Sequence, residues 1–509
     1  MAVVVAVVLV SSACSFVRGG DDVADRRVLR IGVVRPATLD PMAARTIDEQ
    51  LVAEQLFDSL VALDPETVET EPGLAESWTV SDDQLTWQFT LASGAAFSDG
   101  REVSTADVKA TLERIAKKDS GSPVADLLEP VKGWKEFAVD GTASELVGVV
   151  ADSGGVVRIE LSTPWSSLPH ALAQPQFGIV PSGVTAASFE DEPVGSGPFM
   201  VRKREQNRLT LRRVEGRDAR LAGLDVRQYD DATAAYEAFV DDRVDYAPVP
   251  ADRVAEAATR YGRAYFRPYA AELFYAFNLR NPKWQDKRLR EAVVRAVDTA
   301  AIAEEVYRGD LRAMTSLVPA PLAGAGSCAA CGHDPERAKA LVAEVAAAGA
   351  VPEVAIDFEG DRTQGEVAKR LEADLEAVGF TVNLRPKPLE DYQRFAASGE
   401  QDLFRLGWVA AYPTADAFVA PLFVSGASNN LIGFALSGVD ELVQRARATI
   451  DPAARAELYR QADEAILGEF PVLPIGQFQQ FAVAVPRVKD LRLSITGTFD
   501  ASTVWLAAD

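Results

Sequence analysis

Short apolar stretches, several with alternating apolar and polar residues, recur along the chain and predict β-strands. Because successive side chains of a strand point to opposite faces, alternation indicates one buried and one exposed face. The stretches that predict strands are VLRIGVV (28–34), LTWQFTL (85–91), GVVRIELST (155–163), FMVRKRE (199–205), RLTLRRV (208–214), LFYAFNL (273–279), EVAIDF (353–358), TVNLRP (381–386) and DLFRLGW (402–408).

Between these strands, apolar residues spaced three or four apart predict amphipathic helices. The helix predicted over 103–118 starts from an N-cap at Ser104 or Thr105, and Asp107 in its first turn suits the helix dipole. Further helices are predicted over 47–64, the start of 236–249, 286–309, 334–348, 364–379, 389–397 and 451–468.

The order strand, helix, strand over 353–386 predicts two parallel strands joined by a crossover helix. Pro- and Gly-rich segments interrupt the pattern near 193–198, 246–251 and 318–333. The mixture of strands and helices, without a short repeat, therefore predicts at least two α/β lobes.

The first apolar run, AVVVAVVLV at 2–10, is shorter than the roughly 20 residues that a membrane-spanning helix needs. Its length and the small residues after it are typical of a signal peptide, predicted here at 1–13. The SSAC that follows resembles a bacterial lipobox, with Ser11 in the usual leucine position and Cys14 as the lipidated residue. Residues 14–28 are predicted to form a polar tether; the alternative is a cleaved secretory signal in which Cys14 has no role.

The composition of the 509 residues, 48% hydrophobic and 25% charged, is that of a globular protein large enough for two or three domains. No later apolar run reaches spanning length, so the body of the chain is predicted to lie outside the bilayer. The net charge of −23 repels phosphate backbones and argues against nucleic acid as a partner.

Cys328 and Cys331 form a CAAC motif, which in an exported protein predicts a local structural disulfide. Three alternatives fit less well. The Pro/Gly/Ala-rich surroundings are unlike a thioredoxin-type strand-to-helix turn, a zinc site needs about four ligands and only His333 is near, and Gly332 separates Cys331 from the histidine that c-type haem attachment requires.

Sequence signatures of catalysis are few. The chain has no G-x-S-x-G elbow, no H-E-x-x-H motif and no P-loop Gly-Lys, and its two histidines are His170 and His333. Acidic pairs such as Asp82/Asp83 are predicted on solvated surfaces. No cofactor and no metal site are predicted, and a hydrolase that uses two carboxylates is kept as an alternative.

Five segments follow one another in a distinctive order. They are LRIGVVRPATLDP (29–41), the stretch from LFDSL to TADV (56–108), PVGSGPFMV (193–201), FNLRNPKWQDKRLREAVVRAVD (277–298) and DLFRLGWVAAYPTADAFVAPLF (402–423). Together they resemble the family 5 solute-binding proteins, the extracytoplasmic substrate-binding proteins of peptide-type ABC transporters. The resemblance covers nearly all of the chain after residue 28.

The resemblance implies a two-lobed α/β fold of the periplasmic-binding-protein type (class II, cluster C), with an extra subdomain in lobe I and a hinge between the lobes. It implies a monomer anchored to the outer face of the cell membrane, which closes over a peptide or peptide-like ligand and docks on an ABC permease. The expected boundaries are 29–48, 190–265 and 476–509 for lobe I, 49–189 for the inserted subdomain and 266–475 for lobe II.

The same resemblance implies where the ligand lies. In peptide binders of this family the Gly-Trp segment, here Gly407–Trp408, lines the cleft and its backbone pairs with the peptide. Ala411 stands where those proteins have an aspartate that neutralises the peptide ammonium, and Asp416 is the nearest possible substitute. The other residues expected to line the ligand site are Arg405, Val409, Tyr412, Phe274, Tyr275 and Asn278.

The alternative for Arg405, whose expected partner is a ligand carboxylate, is an ion pair within lobe II with Asp402 or Asp416. For Trp408, Phe274, Tyr275 and Asn278 the alternative is core packing. The sequence thus predicts a solute-binding component of an importer without catalytic function; the other hypotheses are the exported hydrolase and a ligand sensor of the same fold.

Overall fold

The computed structural model describes residues 27–190, 192–349 and 352–508. The predicted signal peptide, Cys14 and most of the predicted tether lie outside the described residues. Within the described part of the chain, no helix combines the length and the apolar character that crossing a bilayer requires.

Strands occur throughout the described residues. They are β1 (Val28–Val34), β2 (Val61–Leu63), β3 (Thr70–Pro72), β4 (Ala75–Val80), β5 (Thr86–Leu91), β6 (Val149–Ala151), β7 (Val156–Glu160), β8 (Phe199–Glu205), β9 (Arg208–Arg213), β10 (Gly223–Tyr229), β11 (Tyr246–Pro248), β12 (Phe266–Phe277), β13 (Leu311–Ala313), β14 (Glu353–Glu359), β15 (Thr381–Lys387), β16 (Leu403–Val409), β17 (Val472–Ala484), β18 (Val488–Lys489) and β19 (Trp505–Leu506).

The α-helices lie between the strands, and short 3-10 and π segments connect some of them. The helices are α1 (Ile47–Leu56), α2 (Thr105–Ala116), α3 (Leu168–Leu172), α4 (Ala232–Val240), α5 (Val254–Tyr261), α6 (Lys287–Ala296), α7 (Thr299–Ala301), α8 (Pro335–Ala347), α9 (Arg362–Ala377), α10 (Leu389–Ala396), α11 (Asp416–Phe423), α12 (Ser437–Arg447) and α13 (Pro452–Leu467).

Each strand predicted above overlaps an observed strand. Helix α2 is confirmed with Ser104 as its N-cap. The Asp107 carboxylate accepts a hydrogen bond from the Ser104 N–H, which completes a capping box. Strands β14 and β15 are parallel and joined by α9, which confirms the predicted β-α-β unit.

The helix predicted over 47–64 is too long, because α1 ends at Leu56. The backbone of a glycine turn packs against this end: a Cβ at Gly195 would lie 1.9 Å from the Leu56 carbonyl oxygen. That oxygen accepts from the Gly197 N–H at 2.9 Å, and the Asp58 N–H donates to the Ser196 hydroxyl at 3.0 Å. Residues far along the chain therefore decide where the helix ends.

The helical stretch predicted over 286–309 is also interrupted. Helix α6 ends at Ala296, Val297 is extended, and Asp298 caps the short helix α7. The Asp298 N–H donates to the Asp374 carboxylate on α9 at 3.0 Å, which fixes the interruption from outside the segment.

One long sheet runs through most of the molecule in the order β15-β14-β16-β12-β17-β11-β1-β10-β9-β8, with β13 added to β17. Strands β1, β10 and β11 are parallel, so their carboxyl ends meet at one edge. On the other side of β17 lie β12, β16, β14 and β15. We call these two halves lobe I and lobe II.

Two long strands join the lobes. Strand β17 pairs with β11 at its carboxyl end and with β12 along the rest. The β12–β17 ladder loses its register between Pro268 and Glu272, and there the Gln477 side chain donates to the Tyr269 carbonyl at 3.1 Å. An interrupted ladder between two lobes is a position where rotation costs few backbone hydrogen bonds, which supports a hinge.

A separate four-stranded antiparallel sheet, in the order β4-β5-β7-β6, belongs to an additional subdomain between β1 and β8 and packs against α2. Lobe I has its own apolar cores on the two faces of its sheet. The core of the subdomain is continuous with that of lobe II. This architecture confirms the two-lobed α/β fold with an extra subdomain; the exact domain boundaries stay predictions.

Candidate functional site

Strand β16 has one edge that is only partly paired. Its partner β12 runs along the whole strand, whereas β14 pairs with it only at Leu403 and Phe404. Beyond Phe404, no further strand is paired to this edge among the described residues. The carboxyl half of β16 is therefore an open strand edge inside a large sheet.

The pairing register shows which backbone groups face this edge. The Ala410 N–H donates to the Ala270 carbonyl, and the Asn278 N–H donates to the Asp402 carbonyl. Even-numbered residues of β16 therefore bond to β12, since antiparallel partners alternate. The N–H and C=O groups of Gly407 and Val409 point to the open edge, where they can pair with an extended ligand.

Trp408 stands on one face of β16, beside these open groups. Its indole is partly buried against the lobe II core, and its N–H donates to the Ala417 carbonyl at 2.6 Å. Ala411, also partly buried, follows it, and Val409 is 58% exposed. The indole is thus held by its edge while part of its surface remains accessible.

Glu272 lies opposite Trp408 on the neighbouring strand, in a hydrogen-bonded register pair that shares one face. The residue is 1% exposed, and its Oε1 has no hydrogen-bond partner among the described residues. Burial, with the nearby Asp463 carboxylate, raises the pKa of Glu272 well above its usual value. Sequence reasoning missed this acid, although a Glu within an apolar strand is itself unusual.

The opposite face of β16 carries Arg405. Its guanidinium pairs with Glu359 at 2.8 Å. This is the ion pair within lobe II that was the alternative for Arg405, but the acid is Glu359 in place of Asp402 or Asp416. Glu359 is the last residue of β14, so the pair sits where parallel strands of lobe II end. Side chains at such carboxyl ends form ligand sites in open α/β sheets, and that rule could have identified Glu359 from the sequence.

Buried polar atoms without partners surround this ion pair. Among the described residues, the unpartnered buried atoms include Arg405 Nε, Glu359 Oε2, Tyr275 Oη and Gln364 Oε1. Burial raises the pKa of Tyr275, so its hydroxyl stays protonated at neutral pH. Buried polar atoms normally have a partner, so this cluster can bind water or a polar ligand group.

Asp416 is the centre of a buried network and not a free acid. Its carboxylate accepts from Trp165 Nε1 at 2.9 Å, Tyr412 Oη at 2.7 Å and Tyr459 Oη at 2.6 Å. Arg447 completes the network with an ion pair at 2.8 Å. The proposed substitute for the missing aspartate at 411 is therefore saturated by protein groups.

The remaining predicted site residues are buried. Tyr412 is 3% exposed and its ring contacts Trp165 edge-to-face at 5.7 Å. Phe274 and Tyr275 are at most 2% exposed in the core of lobe II. The Asn278 amide donates to the Gly399 and Gln401 carbonyls at 2.9 and 2.8 Å, so it shapes a turn. These four stay predictions as ligand residues, and their present contacts are internal.

Cys328 and Cys331 are joined by a disulfide. Among the described residues, no group of three or more His, Cys, Asp and Glu side chains is placed to hold a metal ion. His170 is buried, which lowers its pKa to about 4.

A cavity of about 570 Å³ adjoins the site segment at Pro413. Its other walls include residues from the segments 57–73, 173–175, 216–218 and 492–503. Glu54 lines it, and burial together with Asp500 raises the pKa of Glu54 to about 7. The volume is within the range of small-molecule sites.

Replacing Glu272 by glutamine is expected to raise the free energy of unfolding at neutral pH by about 1 kcal/mol or more, because the charged form is buried without a partner. The folded state binds this proton more tightly than the unfolded state, so wild-type stability falls as pH rises above about 4.3, the unfolded pKa. Urea denaturation between about pH 5 and 8 should show a flatter pH dependence in the variant, which lacks this titrating group. The exposed Glu376→Gln is the matched control, and equal curves for all three proteins would contradict the expectation.

The family model described as bacterial extracellular solute-binding proteins, family 5 Middle, matches residues 69–430. The glutathione-binding protein GsiB of Salmonella typhimurium is 25% identical over 473 residues, covering 86% of each chain. A probable di/tripeptide-binding protein 5 of Pseudomonas aeruginosa is 26% identical over 499 residues, covering 89% of this chain and 90% of the relative.

Solved structures share the fold. The periplasmic murein tripeptide binding protein MppA, in its unliganded open form, superimposes with a TM-score of 0.84 at 22% identity, covering 96% of this chain and 98% of that one. The Haemophilus influenzae protein OppA, in complex with the peptide RPPGFSPFR, gives a TM-score of 0.70 at 19% identity, covering 94% and 99%.

Proposed function

The chain belongs to family 5 of the bacterial extracellular solute-binding proteins, and from this premise we propose that it captures a peptide-like solute between its lobes and delivers it to the permease of an ABC importer. Members of the family are binding proteins, and the function that we propose is ligand binding without catalysis. The names of the relatives, which specify glutathione and di- or tripeptides, favour a short peptide-like ligand.

The observation that carries this proposal is the open edge of β16. Gly407 and Val409 direct unpaired backbone groups to that edge, and an extended main chain could pair with both. Trp408 offers an aromatic surface for a ligand side chain on one face. Arg405 and Glu359, on the other face, offer a cation and an anion to polar ligand groups.

Recognition of the ligand's amino end differs from the usual arrangement of the family. Ala411 supplies no carboxylate, and the Asp416 carboxylate already accepts hydrogen bonds from four protein side chains. A buried ammonium without a counter-ion would cost several kcal/mol, about what a buried unpaired ion costs in proteins. We therefore expect a ligand with a blocked or absent α-ammonium to bind at least as well as a free peptide.

Capture would proceed by closure of the lobes around the β12 and β17 strands. The interruption after Pro268 allows rotation there, while the paired segments on either side move with their lobes. A ligand that contacts β16 and lobe I together favours the closed state by its additional contacts. The permease would then recognise the closed form.

We place the protein outside the cytoplasm, and a lipid on Cys14 would keep it at the outer face of the cell membrane. The resemblance of SSAC to a lipobox supports this anchor. A single acyl chain holds a protein at a membrane only reversibly. Further contacts with the membrane would therefore strengthen the attachment through Cys14.

Val409→Pro tests the paired-strand arrangement directly. Proline removes the N–H that faces the open edge and leaves the ladder to β12 intact, so we expect about tenfold weaker ligand binding, which is one hydrogen bond of about 1.4 kcal/mol. Isothermal titration of the variant gives the affinity, and Val409→Ala, which keeps the N–H, is the control. Equal affinities for the proline and alanine variants would contradict main-chain pairing.

The ligand itself is identified by mass spectrometry of small molecules that remain bound during purification. A thermal-shift panel of short peptides, each with a free and an acetylated amino terminus, then orders the candidates. We expect stabilisation by short peptide-like compounds, with no preference for the free amine. Turnover of a compound in the panel would contradict a purely binding function.

A further inference from the structure

A second concave surface lies on lobe I, away from the cleft. It is a groove of about 1220 Å³ at the amino ends of β1 and β10, with Val28 and the segment after β17 at its margin. Seven basic and three acidic side chains line it. The basic residues are Arg30, Arg202, Arg208, Arg212, Arg227, Arg487 and Lys489; the acidic ones are Asp225, Asp242 and Asp245. We call this surface the basic groove.

Two buried aspartates organise the floor of the basic groove. Asp245 pairs with Arg30 at 2.7 Å and with Arg487 at 2.8 Å. Asp225 pairs in the same way with Arg208 at 2.6 Å and Arg227 at 3.1 Å. Each cluster has two cations and one anion, so each retains one positive charge.

The side chains of Asp245 and Asp225 are 0% and 5% exposed, whereas their four arginine partners are 26–49% exposed. Burial favours the neutral form of Asp245, but hydrogen bonds from Arg30 and Arg487 outweigh it and hold its pKa below the usual value. Asp245 therefore stays charged inside the protein, while the guanidinium groups that pair with the two aspartates face the groove. This arrangement fixes several arginines in place, as recognition of phosphate requires.

Three further cations, Arg202, Arg212 and Lys489, are exposed and pair with no acid among the described residues. Their charges add to those of the two clusters. The groove therefore carries a net charge of four positive units, seven minus three, on a protein whose total charge is −23. Such a concentration of positive charge on an acidic protein indicates an anionic partner.

The position of the groove favours one such partner, the membrane surface. Strand β17 passes from lobe II into lobe I and reaches the amino end of β11 at Ala484, so Arg487 lies at the end of lobe I away from the cleft. Val28, at the margin, follows Cys14 by 14 positions. At about 3.5 Å per residue, the tether would place Val28 within about 50 Å of a lipid on Cys14.

We propose that the basic groove docks on anionic phospholipid headgroups. The inference rests on the proposed anchoring at Cys14, which brings this end of lobe I to the bilayer. Charges more than about 8 Å from the lipid phosphates are screened at physiological salt, so the acidic remainder of the protein opposes contact only weakly. Docking in this orientation leaves the opening between the lobes free for ligand.

The test uses vesicles and does not depend on lipidation. The full chain with Cys14→Ser is sedimented with vesicles of phosphatidylcholine alone or with added phosphatidylglycerol, at low and physiological salt. We expect binding only to the anionic vesicles, with a loss of about tenfold or more in the triple variant Arg202→Gln/Arg212→Gln/Lys489→Gln. Because these three side chains are exposed, the variant should keep the wild-type melting temperature.

The matched control is Lys132→Gln/Arg362→Gln/Arg394→Gln, which changes the net charge equally at exposed positions outside the groove. Equal losses of vesicle binding in the two triple variants would overturn the proposal. So would equal binding of the protein to neutral and to anionic vesicles. The proposal would also fail if the Arg202→Gln/Arg212→Gln/Lys489→Gln variant bound anionic vesicles as the unsubstituted protein does but bound more weakly to permease in neutral vesicles. That result would assign the groove to the permease. Fractionation of cells carrying Cys14→Ser tests the anchor separately, because release from membranes reports on lipidation and not on the groove.

Discussion

Replacing Asp416 by alanine is expected to lower the free energy of unfolding by about 3–5 kcal/mol, the cost of breaking a buried ion pair from one side. The substitution leaves Arg447 without its counter-ion and removes the acceptor of Trp165, Tyr412 and Tyr459. Trp165 follows β7 in the chain, whereas Tyr412, Arg447 and Tyr459 follow β16, so the network joins distant parts of the sequence. Denaturation monitored by tryptophan fluorescence measures the loss.

The pH dependence of this contribution follows from the pKa of Asp416. Burial raises that pKa, but Arg447 and the two tyrosine hydroxyls outweigh burial and hold it below the usual value. The stabilisation is therefore complete above about pH 4, the unfolded pKa, and is lost as pH falls through the folded value. Asp391→Ala, with a carboxylate that is 55% exposed, is the control. A loss of similar size in both variants would contradict the network.

Trp408→Ala is expected to weaken ligand binding about 30-fold, or 2 kcal/mol, which is typical of an aromatic residue at the centre of a binding site. The indole supplies the only aromatic surface beside the open backbone groups of Gly407 and Val409 among the described residues of β16. Titration calorimetry with the ligand identified from the purified protein measures the change. Wild-type affinity in the variant would remove Trp408 from the ligand site.

Trp408→Phe separates the role of the ring from that of the indole N–H. The N–H donates to the Ala417 carbonyl inside lobe II, so its loss affects stability more than affinity. We expect the phenylalanine variant to bind within about threefold of wild type and to unfold about 1 kcal/mol more easily. A 30-fold loss of affinity in both variants would instead indicate that the fold around β16 had changed.

The sequence analysis placed several of the predicted ligand residues along one strand, β16, but did not separate the two faces of that strand. Trp408 and Arg405 are close in sequence, yet β16 points them to opposite faces. The alternation of the two faces could be read from the sequence. The elements that pack against each face could not be predicted from it. Glu359, Glu272 and Trp165 come to the site from distant parts of the chain, and no local pattern records those contacts.

Local sequence by itself determined most strands and helices, because hydrophobic periodicity and capping residues act within a few positions, as Ser104 and Asp107 illustrate. It also supplied the five ordered segments by which the family was identified. Only the tertiary structure decided that α1 ends at Leu56, that Arg405 pairs with Glu359 and that Asp416 is saturated. Each of these three features depends on groups that are distant in sequence and that folding brings together. Such contacts produce no periodic pattern in the sequence.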